Sequence, residues 1–346
     1  MLSILSLVSL VACGGSERTS APAAPAAPPA IPRHTGLFKP LPRVAEPATE
    51  ADRAMVALGM ALYHDTRLSK NQDLSCNSCH DLSNAGVDNQ PTSPGHRGTR
   101  GARNSPTTYN AFLHTAQLWD GRAADVEAQA KGTVTHPLEM AMTDDDAVNT
   151  VLTSIPGYAP MFTAAFPAEP VPVSFKNAAR ALGAFERTLV TPSAFDRYLE
   201  GDVHALTAQQ VAGMDLFVAA NCTMCHNGPG VGGGMYRKLG VARPYGTKDP
   251  GRFEVTGNEA DMHVFKVPSL RNVARTGPYF HDGSVATLGD AVTKMGAHQL
   301  DRDLTPAEVA SIVTFLNALT GQPPAVATAI PELPPSGPTT PKPDPT

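Results

Sequence analysis

Aromatic side chains are scarce in this chain, at 6% of 346 residues, and Trp119 is its single tryptophan. No apolar run reaches the ~20 residues that a membrane-crossing helix needs. Basic residues do not outnumber acidic ones: 27 Lys and Arg against 32 Asp and Glu give a formal charge of −5. That balance argues against nucleic acid and leaves only a mild preference for cationic partners. Strand-like alternation is rare, so the fold is expected to be mainly α. Cysteine is limited to five residues. What remains is ordinary for a globular protein, with 42% hydrophobic residues and enough length for two domains with real cores.

The few cysteines are not scattered. Cys76-Asn77-Ser78-Cys79-His80 and Cys222-Thr223-Met224-Cys225-His226 repeat one pentad, two cysteines two residues apart with histidine directly after. This is the attachment signature of c-type haem: the thiols form thioethers to the porphyrin vinyl groups and the imidazole reaches the iron. One copy would also suit half a zinc site, but structural zinc pairs lie closer together and do not need histidine after both. Two haem c groups are therefore expected, on Cys76, Cys79 and His80 and on Cys222, Cys225 and His226. Macrocycles filling two small cores would account for the shortage of aromatics. No disulfide framework can form without dismantling a haem site.

The fifth cysteine, Cys13, closes Leu10-Val11-Ala12-Cys13 after an apolar run from Leu2. That ending resembles a bacterial lipobox, in which Cys13 would be lipidated; a plain cleaved signal with an incidental cysteine is the alternative. No Lys or Arg precedes the run, so the signal is expected to begin upstream of Met1. With either signal, residues 1–13 direct the chain out of the cytoplasm, and bacterial haem attachment also occurs there. The expected location is the periplasm, with membrane contact only through the lipid. Residues 14–45, rich in Ala and Pro, read as a tether, and the proline-rich 322–346 as a disordered tail.

Between these ends, two haem domains are expected at 46–200 and 201–321. Apolar periodicity and caps predict helices over Glu50–His64, Ala123–Lys131, Asp144–Ser154, Ser174–Leu189 and Thr207–Ala219, and a last one opened by Thr305-Pro306-Ala307-Glu308. Asp81–Arg103 has no periodicity and many Gly, Pro, Asn and Asp residues, so it reads as a long loop, functional or disordered, and it carries His96. Gly228–Gly234 reads as a mobile loop.

The halves also echo each other outside the pentads. Pro106, Asn110 and Trp119-Asp120-Gly121 match Pro268, Asn272 and His281-Asp282-Gly283, with four residues from Pro to Asn and fourteen from Pro to Asp in both. The expected architecture is two tandem cytochrome c-like domains related by internal duplication. They differ where it matters: Met295 lies fourteen residues beyond His281, whereas the position matching it beyond Trp119 is Thr133. A thioether opposite His226 gives His/Met ligation and a raised reduction potential, although a methionine at helical spacing also serves core packing. The first haem lacks sulfur at that place, with Met140 and Met142 near enough to compete. His96 can occupy its sixth position and leave it; a loop histidine is otherwise a solvated side chain. Gln129 and Glu139 fall near this face. A carboxylate there can move a proton between the oxygens of bound peroxide, though Glu139 alone is an ordinary surface acid.

Taken together, Leu62-Tyr63-His64-Asp65 with the first pentad, Gly95-His96, Arg103-Asn104-Ser105-Pro106-Thr107, Trp119-Asp120-Gly121-Arg122, Gln129-Ala130-Lys131-Gly132, Val267-Pro268-Ser269-Leu270-Arg271-Asn272 and Tyr279-Phe280-His281-Asp282-Gly283 resemble the bacterial di-haem cytochrome c peroxidases. The likeness covers roughly residues 50–321. It implies a peroxidatic haem on the first pentad with His96 as a ligand removed on reductive activation, and an electron-transfer haem on the second with Met295 as axial ligand. It also implies that Gln129 and Glu139 face the peroxide, that Trp119 lies between the haems, and that Ca²⁺ binds Asn104 and the carbonyls of Thr276 and Pro278. Hydrogen peroxide is the implied substrate, with a small c-type cytochrome or blue copper protein as donor and a homodimer as the assembly. Two rival readings are a di-haem carrier without peroxide chemistry and a MauG-type oxidase of a partner protein. The latter group uses tyrosine where Met295 stands.

Overall fold

In a computed structural model that describes Leu2 and residues 32–346, helix α1 spans Glu50–His64, as the periodicity predicts. Thr49 starts it: its hydroxyl accepts from the amide of Asp52 at 3.1 Å, and the Asp52 carboxylate accepts from the amide of Thr49 at 3.0 Å. Cys13 and the rest of the expected export signal, Leu2 apart, lie outside the described residues.

Helix α2 (Val126–Thr135) begins later than expected because Asp125 caps it, accepting from the amide of Ala128 at 2.8 Å. Next come α3 (Asp145–Ser154), α4 (Tyr158–Ala165), α5 (Phe175–Glu186), α6 (Ala194–Leu199), α7 (Ala208–Ala219), α8 (Leu288–Leu300) and α9 (Pro306–Asn317). The capping boxes expected at Thr207 and Thr305 are both made. Helix α4 is not evident from the sequence, because Pro160 reads as a breaker; it sits in the first turn, where its missing N–H costs nothing. A short antiparallel ribbon pairs β1 (Tyr236–Lys238) with β2 (Val264–Lys266), placing Tyr236 opposite Lys266.

Residues 32–346 form one compact unit around two large hydrophobic clusters. The first packs α1 against α4 and α5 through Leu58, Leu62, Tyr158, Phe162, Leu182 and Phe185, all fully buried. At the α1–α5 crossing a Cβ on Gly59 would lie 2.0 Å from the carbonyl oxygen of Ala181, so only glycine permits the approach. The second cluster joins α6, α7 and α9 through Phe195, Met214, Phe217 and Phe315.

Both ends depart from expectation. Residues 32–41 are not tether: Phe38 is fully buried in the second core, edge-on to Phe195 at 5.3 Å. Helix α6, assigned by sequence to the first domain, also belongs to that core through Phe195 and Tyr198. The tail is not disordered. Ala327 enters the first core with Val326 and Leu333 beside it, and the chain beyond is tied down by hydrogen bonds to α3 and to the 70–72 turn. Prolines remove backbone donors but not carbonyls, so an extended proline-rich strand can still be held by donors on a neighbouring surface.

The matched loop positions adopt matched conformations. Asn110 and Asn272 are left-handed at φ 61° and 60°, and each side-chain amide donates to the same hydroxyl, Thr191 Oγ1, at 2.9 Å. Gln117 bridges to Ala123 around Trp119-Asp120-Gly121 as Tyr279 bridges to Val285 around His281-Asp282-Gly283.

Candidate active site

Each pentad closes one helical turn, the amides of His80 and His226 donating at 3.0 Å to the carbonyls of Cys76 and Cys222. Cysteines three residues apart then share a face, with histidine beside them. All four cysteines are free thiols. Burial pushes Cys76 up to about 12 and Cys79 and Cys222 to about 11, so they stay protonated. Zinc needs thiolate, and no three His, Cys, Asp or Glu side chains are grouped to hold a metal ion among the described residues. Neutral thiols at a cavity wall suit thioether attachment.

Burial lowers the pKa of His80 and brings His226 down to about 4, which keeps both imidazoles in the neutral form that ligates iron. His226 Nδ1 lies 3.3 Å from the carbonyl oxygen of Val231. Donation there leaves Nε2 free for the metal. His80 Nδ1 is buried without a partner among the described residues. The Gly228–Gly234 stretch, expected to be mobile, packs beneath His226, with Val231 fully buried. At Gly232, φ 130°, a Cβ would sit 2.2 Å from the carbonyl oxygen of Pro268, so glycine brings that backbone close.

Two cavities meet these histidines. Cys76, Cys79, His80, Gln129, Thr133, Glu139 and Met140 line the first, and Cys222, Cys225, His226 and Met295 line the second. Trp119 and Asn104 line both. Gln129 donates from Nε2 to Thr133 Oγ1 at 3.0 Å, which orients its amide along α2. Glu139 is partly exposed, 3.7 Å from His136 Nδ1. Trp119 is held from both halves: its indole N–H donates to the carbonyl of Asn104 at 2.9 Å, and its own carbonyl accepts from the amide of Lys266 at 2.7 Å.

His96 is buried but does not line the first cavity. Its Nε2 lies 3.2 Å from the main-chain oxygen of Thr346, because the tail occupies the space beside it. Met142 is also absent from the wall, packed in the first core. Thr276 and Pro278 line the second cavity with Asn104, whose amide donates to the carbonyl of Gln90 at 2.9 Å and leaves its side-chain oxygen to accept. Asn89 braces this backbone, donating to the carbonyl of Gly277 at 2.6 Å.

Three charged features are not evident from the sequence. Glu186 lines the first cavity, its carboxyl raised to about 8 by burial and then by the nearby Glu127. Its place four residues after Leu182 on α5 is the one signal that puts it on the apolar face. In the second cavity the buried Lys266 places Nζ 3.2 Å from Nδ1 of the half-buried His114. Arg103 reaches Asp249 and Glu254 at 2.7 Å and also Asp120; against the cost of burial these carboxylates hold its guanidinium charged and cross-link the halves.

A mainly helical chain with two haem-attachment turns, each facing its own cavity, defines a di-haem c-type protein. The chain belongs to the di-haem cytochrome c peroxidase family, whose model matches residues 53–204. It is 48% identical over 297 residues to the cytochrome c551 peroxidase of Nitrosomonas europaea, covering 85% of this chain and 87% of that one. Identity to the cytochrome c551 peroxidase of Pseudomonas aeruginosa is 46% over 322 residues, covering 89% and 91%. Among solved structures, a MauG-like protein associated with microbial copper homeostasis aligns with a TM-score of 0.71 at 29% identity, over 88% of this chain and 96% of that one.

Proposed function

We propose that this protein reduces hydrogen peroxide to water with electrons from a small c-type cytochrome or blue copper donor. The observation that carries this is the inequality of the two cavities. Met295 lines the wall of the second, whereas the first has Thr133 at the matching place and Gln129 and Glu139 beside it. Haem c supplies the redox chemistry when bound. His80 and His226 would hold the two haems through their imidazoles, and Met295 would offer the second its thioether, which suits that site to electron relay. The Glu139 carboxylate takes a proton from one peroxide oxygen and returns it to the other, and the Gln129 amide holds the bound oxygens in place. Trp119, common to both cavities, gives an aromatic path for electrons. His96 would be the residue able to occupy the first haem's remaining position and to vacate it for peroxide.

Met295 also weighs against oxidation of a partner protein, the chemistry of the tyrosine-bearing branch. Asn104, Thr276 and Pro278 supply the hard oxygens of a Ca²⁺ site when waters complete it. The protein acts in the periplasm, as a homodimer and tethered through Cys13. Reduced c-type cytochrome, mixed with the holoprotein and hydrogen peroxide, tests the reading: two electrons should be consumed per peroxide. Donor oxidation that does not depend on peroxide would instead reveal a carrier.

A further inference from the structure

The tail that reaches His96 is built to stay there. Thr340 Oγ1 donates to the carbonyl of Ser154 at 3.2 Å and accepts from the amide of Gly337 at 2.9 Å. Gln72 Nε2 donates to the carbonyl of Pro341 at 2.8 Å, and the amide of Asp344 donates to the carbonyl of Lys70 at 3.0 Å. Lys70 Nζ then donates to the main-chain oxygen of Thr346 at 2.8 Å and lies 3.5 Å from the Asp344 carboxylate. That same Thr346 oxygen faces His96 Nε2 at 3.2 Å. The docking edge is continuous with the first cavity, since the amide of Lys70 donates to the carbonyl of Met140 at 2.9 Å.

This contact is chemically exclusive. The main-chain oxygen of Thr346, a carboxylate oxygen in this chain, can only accept, so Nε2 carries the proton in this contact, and that nitrogen then has no lone pair for iron. Arg97, beside His96, is left-handed at φ 59°, a region that residues with a Cβ rarely adopt. Hydrogen bonds within the turn, from the amide of Gly95 to the carbonyl of Thr99 at 2.7 Å and from Thr99 Oγ1 to the carbonyl of His96 at 2.6 Å, offset that strain, and the tail adds a contact to the His96 ring itself.

We propose that residues 338–346 are a latch that positions His96 away from the first haem site. The tail thereby shifts the protein toward the form in which peroxide can enter, and lessens its need for prior reduction. This rests on the reading of His96 as the displaceable sixth ligand. One hydrogen bond to a buried imidazole, lost together with its supporting carbonyl strand, corresponds to roughly a tenfold change in the latched-to-ligated ratio.

The test compares holoprotein of the full chain with a variant lacking residues 338–346, which keeps Ala327 and Leu333 in the first core, and with Lys70→Met, which keeps the tail but removes its ammonium anchor. Absorption and electron paramagnetic resonance spectra of the oxidised proteins report the high-spin share of the first haem, and cyanide binding reports access to it. Both variants should lose high-spin character and cyanide access by roughly tenfold, and His96→Ala in the truncated background should restore them. An unchanged spin balance in both variants overturns the latch while leaving peroxide chemistry intact. If His96→Ala fails to open the truncated protein, His96 is not the ligand, and the latch falls together with the reading beneath it.

Discussion

The main-chain amide of His96 donates to the carbonyl of Glu139 at 2.7 Å. The loop that carries His96 is therefore pinned to the segment that carries the candidate acid, helped by Thr99 Oγ1 donating to the carbonyl of Leu138 at 3.2 Å, and without use of the Glu139 side chain. Replacing the Glu139 side chain should leave loop and haem spectra as they are and remove only the proton transfer. Glu139→Gln should lower peroxide turnover by ~2–3 orders of magnitude, read as steady-state oxidation of reduced cytochrome. A variant within threefold of the parent would show that the proton travels by another group.

Thr191 stands at the seam of the two halves. Its single hydroxyl accepts from the buried side-chain amides of both Asn110 and Asn272. Thr191→Val keeps the shape and leaves two buried donors unsatisfied, each costing about 1–3 kcal/mol. Guanidinium unfolding should show a midpoint lowered by the equivalent of about 2–4 kcal/mol, with haem content unchanged. Asn110→Ala combined with Thr191→Val should cost less than the sum of the two changes, because the first removes one of the stranded donors.

The pentads, the caps at Thr207 and Thr305 and the paired turns around Trp119 and His281 were legible because each rests on local chemistry: a fixed spacing, a side chain bonding its own backbone, a left-handed residue. Cavity membership of Gln129, Glu139 and Met295 was reachable by the repeat and the family resemblance. The ends were not legible. Proline content predicts an extended chain and says nothing about whether a neighbouring surface offers donors such as Gln72 and Lys70 to hold it. Nor could the sequence show His96 turned toward Thr346, a contact across 250 residues whose geometry depends on where the tail docks.

Met295 on α8 shares the second cavity with His226 and packs against the small apolar cluster around Phe265 and Phe280. Its two roles can be separated. Met295→Leu keeps apolar bulk and loses sulfur, whereas Met295→His restores a strong nitrogen ligand. Replacing thioether by imidazole should lower the second haem's reduction potential by on the order of 0.1 V or more, a fraction of the ~0.8 V that axial ligands span. A spectroelectrochemical titration reads this directly. Potentials identical in parent and Met295→His would mean that the residue only packs.

Glu186 gives the clearest dependence on pH. Burial raises its carboxyl from 4.5 to about 8 in the folded protein, so between those values the native state holds a proton that the unfolded chain releases. Stability contributed in this way is fully present below about pH 4.5 and declines as pH rises through the window to about 8. Glu186→Gln cannot release that proton. Relative to the parent, the variant should gain stability between pH 5 and pH 8, by on the order of a few kcal/mol across the window. Thermal unfolding of both holoproteins at the two pH values measures the difference. Parallel pH profiles would mean that Glu186 ionises in place, with the neighbouring Arg187 carrying the compensating charge.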